Sequence, residues 1–264
     1  MKRLLIIGII GMTLIVSCKR KGCKDENATN YDEKAKKDDG TCVVPATTYD
    51  MPTTYSFKDE NGNNTVNFNG QKQRLNMLTK IVDYLKTGNT KGTTLDADQL
   101  KNMYANSNYT WIDANNLGMT GSTKQLKDKT AGGDITITSD IELLIDSAAA
   151  ISSYNRDGAP GTSGVYPEDG KGPYLMDANG HQFNEVIEKK LMGAVFYYNI
   201  VSIYLSPDKM DVDNTNPVDS DNGEYYTVME HHWDEAFGYF SYNIDFPTNG
   251  TDRFIGEYAS KMEE

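Results

Sequence analysis

Between residues 181 and 205 the chain carries Val186, Ile187, Leu191, Ala194, Val195, Tyr198, Val201, Ile203 and Leu205, and Ser206-Pro207 closes the run. Proline disfavours helical backbone in the residue before it, and a segment this apolar has to be covered on most sides. The pattern predicts one long helix at the centre of a bundle, so other helices must pack around it. Leu75, Leu78, Val82 and Leu85 recur at spacings of three and four, with Gly88 as the stop. Thr94 or Asp96 caps a shorter helix that buries Leu100 and Met103. Ser139 is expected to begin a third helix, whose apolar face is Ile141, Leu144, Ile145, Ala148, Ala149 and Ile151. A last strong helix runs from about Tyr225 through Trp233 to Phe240, followed by a weak helical stretch over 258–264. Trp111, Leu117 and Met119 lie in a long irregular stretch, and residues 155–180 are so dense in glycine and proline that no regular element is expected there. The fold class is mainly α: a helical bundle with long loops over residues 55–264.

The N-terminus reads differently. Lys2 and Arg3 precede an apolar run over residues 4–16, shorter than the ~20 residues a helix needs to cross a bilayer, so it reads as a signal-peptide core. Ser17-Cys18 at its end resembles a bacterial lipobox. Residues 1–17 are then a lipoprotein signal peptide, and Cys18 is the diacylated residue that holds the mature protein on a membrane surface. Such a protein lies in the cell envelope, at the outer membrane, facing the periplasm or the surface, where disulfides persist. With Cys18 lipidated, Cys23 and Cys42 remain, and one local disulfide is the economical pairing. Closing a loop of roughly 20 residues stabilises the enclosed segment by about 3 kcal/mol in the chain-entropy account.

The residues within that loop, Cys23, Asp25, Ala28, Asn30-Tyr31-Asp32 and Asp38-Asp39-Gly40 up to Cys42, resemble a short module of bacterial surface and secreted proteins. It occupies residues 18–45, and a tether over 46–54 joins it to the helical domain. Asp25, Asn27, Asn30, Asp32, Asp38 and Asp39 are oxygen donors of the kind calcium takes, although their spacing is not that of an EF-hand. The same residues are also the usual suppliers of turn hydrogen bonds. Both readings stand at this level.

With a formal net charge of −12 and no basic cluster beyond the extreme N-terminus, the chain has no patch that would release counterions from nucleic acid. Nucleophile elbows, phosphate-cradling glycine loops and His-Glu-x-x-His runs are absent from the sequence, so a hydrolase or peptidase is disfavoured.

Gly70-Gln71, residues 74–78, residues 100–106, residues 124–129, residues 189–194 and above all the run Met229-Glu230-His231-His232-Trp233-Asp234-Glu235-Ala236-Phe237-Gly238-Tyr239 resemble an uncharacterised family of envelope lipoproteins of Bacteroidota-type bacteria. That family looks like a relative of the imelysin group, whose fold is a pair of four-helix bundles with a Gly-x-His-x-x-Glu motif. His232 to Glu235 supplies the His-x-x-Glu part here, with Glu230 in the place of the glycine. The resemblance implies an imelysin-like helical bundle, with the chain shortened at its C-terminus. It also implies a role in binding a metal ion or metal complex for iron acquisition, with an envelope protein or metal-uptake system as partner. His232 and Glu235 lie three apart and share a helix face, as do His231 and Asp234. Mixed imidazole and carboxylate donors on a bundle helix suit iron or zinc. The competing expectation is a structural or interaction lipoprotein without metal, in which these side chains are partly buried and serve the fold.

Overall fold

The structure, a computed structural model, describes residues 20–44, 57–113, 117–167, 172–244 and 253–262. Cys18, the signal segment and the tether lie outside them. The chain divides into two compact units, residues 1–53 and 54–264.

The small unit is closed by the Cys23–Cys42 disulfide, as expected. Its two short strands, β1 (Lys21–Gly22) and β2 (Lys37–Asp38), pair in parallel. Among its described residues the buried apolar side chains are Cys23, Ala28 and Ala35, too few for a core of ordinary size, and turns supply much of the order. Asp25 Oδ1 accepts the Asn27 N–H, Asp32 Oδ1 that of Lys34, Asp38 Oδ1 that of Gly40, and Asp39 Oδ1 that of Thr41. Asn30 bridges the ends of the loop, donating to Thr41 O at 2.6 Å and accepting from Val43 N at 2.7 Å.

The large unit is mainly α. Helices α1 (Asn69–Thr87), α2 (Ala97–Ala105), α3 (Ile135–Ser152), α4 (Phe183–Leu191) and α6 (Val228–Phe240) surround one core, with a single-turn α5 (Pro207–Met210) and a terminal α7 (Ile255–Met262). Leu75, Leu78, Ile81 and Leu85 of α1 meet Leu100 and Met103, Ile141 and Ile145, Ile187 and Leu191, and Ala236 and Tyr239 in that core. Each fully buried aliphatic or aromatic side chain contributes roughly 1.5–3 kcal/mol relative to exposure. Among the described residues, no helix is long and apolar enough to cross a membrane.

Three local expectations are corrected. The central apolar run does not stay α-helical: α4 passes at Met192 into π-helical backbone over Met192–Tyr197 and Asn199–Tyr204. Val195, Phe196, Asn199 and Tyr204 are buried positions of this stretch, and the last two are five apart, as the wider π turn allows. Asn199 is the polar residue at the middle. Its side-chain amide donates to Val195 O at 2.6 Å and to Lys129 O at 2.8 Å, so the widened turn is tied to a neighbouring segment.

Helix α3 starts at Ile135 rather than Ser139, because Asp134 caps it by accepting the N–H groups of Thr136 and Ile137. Within residues 155–180 a small hairpin does form, β3 (Gly164–Tyr166) antiparallel to β4 (Tyr174–Met176). Three residues per strand are too few for an alternating pattern to stand out among glycines and prolines. Val165 and Leu175 nevertheless join the core, and Leu175 N donates to Asn89 Oδ1 just past α1.

Candidate functional site: a charged cavity between α1 and α6

Thr227 fixes the start of α6 through a capping box: its hydroxyl accepts the Glu230 N–H and the Glu230 carboxylate accepts the Thr227 N–H. From that start His231 and Glu235, one turn apart, line a cavity of about 580 Å³. The opposite wall is the beginning of α1, with Asn69, Gly70, Gln71 and Arg74; Lys124, Asp128 and Lys129 close one side, and Tyr204, at the end of the π segment, closes another.

The side holding Lys129 is a distorted 3₁₀ segment, Lys127–Gly132, in which Thr130 and Ala131 leave helical backbone. Two hydrogen bonds fix that distortion. Asn199 holds Lys129 O, and the hydroxyls of Thr130 and Tyr104 lie 2.6 Å apart in the interior. The π segment thereby positions two cavity groups, Tyr204 on its own backbone and Lys129 through Asn199.

Glu235 Oε1 accepts from Gln71 Nε2 at 3.2 Å, and the Lys129 ammonium donates to Tyr204 Oη at 3.3 Å. Burial, and then the charge of Glu235, push the Tyr204 hydroxyl up to about 12, so it stays protonated. Burial, and then the nearby Arg74 charge, lower the Lys129 ammonium below its ordinary value. Arg74 is only 4% exposed; its Nε donates to Gln125 O at 2.7 Å, and the carboxylate of Asp128 stands 3.7 Å from the guanidinium.

The histidine pair singled out from sequence is split by this geometry. His231 faces the cavity and stacks on Tyr226 with ring centroids 4.7 Å apart. His232 Nδ1 lies 3.6 Å from Glu235 Oε2, an ionic separation rather than a hydrogen bond. Burial, with Lys209 second, lowers the His232 pKa, which favours neutral imidazole. Both Nδ1 atoms are buried and without a hydrogen-bond partner. Asp234 instead serves the fold: it is 3% exposed and accepts the Asn67 N–H at 3.0 Å, tying α6 to the residues that lead into α1.

Among the described residues no three His, Cys, Asp or Glu side chains gather where they could share one ion, in the bundle or in the Cys23–Cys42 loop. His181, at the start of α4, is exposed and paired with Asp177 at 2.8 Å.

Sequence reasoning paired His232 with Glu235 and His231 with Asp234 as metal donors; the cavity wall instead has His231 with Glu235, and Gln71, Arg74, Lys124, Lys129 and Tyr204 were passed over. A signal for two of them was present. Gln71 and Arg74 continue the apolar stripe of Leu75, Leu78 and Leu85 toward the start of α1, and a polar residue on such a stripe must find buried partners.

Helices on one core, with a charged cavity where α1 begins and α6 passes, define a mainly helical protein with a polar cleft. A family model described as Domain of unknown function (DUF4856) matches residues 52–264, and the chain belongs to that family. No curated protein and no solved structure matches the chain.

Proposed function

We propose that this chain is a non-catalytic, lipid-anchored protein of the bacterial cell envelope, whose helical domain is of imelysin-like plan and binds a small polar ligand in the cavity between α1 and α6. The observation that carries the binding reading is the convergence of Arg74, Lys124, Lys129, Asp128, Glu235 and His231 on one cavity of about 580 Å³, a volume within the range of small-molecule sites. Catalysis is not part of the reading, because the sequence carries no nucleophile elbow, phosphate-cradling glycine loop or His-Glu-x-x-His run. Thermal unfolding of the mature protein in the presence of small acids, amino acids and sugars tests it. At least one class should raise the transition, by the equivalent of about 2.7 kcal/mol when the ligand stands at 100 times its Kd, and Glu235→Gln should reduce the shift. No shift with any class would reject the reading.

The anchor rests on the basic, apolar and Ser17-Cys18 order of the first residues. Cys18→Ser removes the thiol that would carry diacylglycerol, so the protein should move from the detergent phase to the aqueous phase on Triton X-114 partitioning. Unchanged partitioning would reject lipidation at Cys18.

A second reading, metal binding at His232 and Glu235, is favoured by their 3.6 Å separation and by the lowered His232 pKa. Two protein donors leave the remaining positions to the atoms of a metal complex. Calorimetry with zinc and iron(II) should then give binding by the wild type that weakens in His232→Ala and Glu235→Gln. Because the folded-state His232 pKa lies below its ordinary value of ~6.5, proton competition should set in only below that pH. Equal affinity in all three proteins would make the pair structural.

A further inference from the structure

The start of α1 poses an electrostatic problem. The N-cap residue is Phe68, whose side chain caps nothing, and the first turn holds no acidic residue. A 19-residue helix therefore presents its partly positive end to the cavity through Asn69 and Gly70, with no anionic side chain of its own to offset it. Two cations are nonetheless drawn onto that end. A Cβ added at Gly70 would lie 3.2 Å from Lys124 Cε and 3.6 Å from a terminal guanidinium nitrogen of Arg74. Gly70 has no unusual backbone angle to explain it, so its missing side chain serves the close approach of these groups.

Arg74 cannot discharge its field into water, being almost wholly buried. Its neighbours are the carbonyls of Gln125 and Gly70 and the half-exposed Asp128 carboxylate at 3.7 Å. Lys129 feels the same charge: burial and then Arg74 lower its pKa, with Asp128 and Glu235 opposing. At the other end of the same cavity Glu235 is satisfied by Gln71, and the buried His231 Nδ1 has no partner. Arg74 and a helix N-terminus on one wall and Lys124 and Lys129 on the side next to it, against two carboxylates of which one already holds an amide and the other stands 3.7 Å from Arg74, leave room for one more negative group.

Taking the cavity to be a binding site as proposed above, we infer that its ligand carries an oxyanion, a carboxylate or phosphate, seated over the first turn of α1 between Arg74 and Lys124. Backbone N–H groups at a helix N-terminus, a guanidinium and an ammonium together form a common anion-binding set. A polar group elsewhere on the ligand then reaches the His231 and Glu235 wall.

The test is calorimetric titration of the mature protein with citrate, with inorganic phosphate and with glucose as a neutral probe. Citrate or phosphate should bind, and the tighter of the two identifies the oxyanion. Lys124→Gln, at an exposed position, should weaken that binding about tenfold or more, as expected for loss of one charge-assisted hydrogen bond. Gly70→Asp puts a carboxylate where the ligand's anion would sit. It should abolish anion binding and raise the melting temperature, a pair of effects that simple damage to the fold would not give. Glucose binding without either anion would overturn the inference and leave the cavity a binding site. Anion binding of equal strength in Lys124→Gln and Gly70→Asp would place it elsewhere and also overturn the inference. No binding by any of the three probes would do the same, and the cavity reading itself would fall only if the thermal screen were blank as well.

Discussion

Gly238→Ala should destabilise the helical domain by about 1–3 kcal/mol, the usual cost of overpacking a filled interior. Two effects compete at this position. Alanine in a helix interior is ordinarily better than glycine by about 1 kcal/mol, so helix propensity alone predicts stabilisation. Against that, a Cβ at Gly238 would lie 2.5 Å from Phe68 Cβ and 2.8 Å from Phe68 Cγ. Those atoms lie next to the backbone and cannot swing aside. Phe68 is 3% exposed and packs edge-on against Phe237 at 5.6 Å, so α6 and the start of α1 would have to separate. Those are the two walls of the cavity. Urea denaturation should show a lower midpoint with little change in slope; a higher midpoint would mean that propensity wins and the contact is loose.

The second large effect concerns Asp234. Burial pushes its carboxyl up to about 7, with Glu230 and Glu235 adding to the rise and the Asn67 N–H opposing it. Tyr226 is close by, its hydroxyl pushed up by burial with Glu224 and Asp234 adding to the rise. In the unfolded chain the group titrates near ~3.9, so the folded state binds this proton more tightly. Its contribution to stability is therefore complete below that value and is lost as pH rises toward 7, by up to ~4 kcal/mol for a carboxyl raised from ~3.9 to about 7. Asp59 and Asp113, whose pKa values are lowered, act in the opposite sense. The readable quantity is thus the difference between wild type and Asp234→Asn, which keeps an acceptor for the Asn67 N–H. The variant should be the more stable protein at pH 8, with the gap closing toward pH 4. Parallel stability curves would show that Asp234 ionises normally.

Much of the helical frame could be read from residue order. The stripe of α1, the Asp96 cap of α2 and the run from Tyr225 to Phe240 each carry their own periodicity or cap, which local chemistry decides. The π segment could not be read in this way. Its apolar residues satisfy an α-helical template equally well, and what selects the wider turn is Asn199 reaching Lys129 O, seventy residues away. The cavity is opaque for the same reason. Arg74 on α1 is separated by fifty residues or more from Lys124 and Lys129, and they meet because Arg74 Nε donates to Gln125 O and Ser122 Oγ to Gln73 Oε1, which hold residues 122–125 against α1. His231 and Glu235 were visible because they lie on one helix. In the Cys23–Cys42 loop, the Asp and Asn side chains that resemble calcium donors accept or bridge local backbone groups, a use that composition alone cannot separate from metal binding.

If the cleft between α1 and α6 is where this protein holds its ligand, amide chemical-shift mapping of the nitrogen-15-labelled mature protein tests it most directly. Titration with citrate or phosphate should move a single contiguous set of amides, those of residues 69–74, 123–129 and 231–235, along one saturable curve. Shifts confined to residues 20–44 or 158–180, or scattered without saturation, would contradict it.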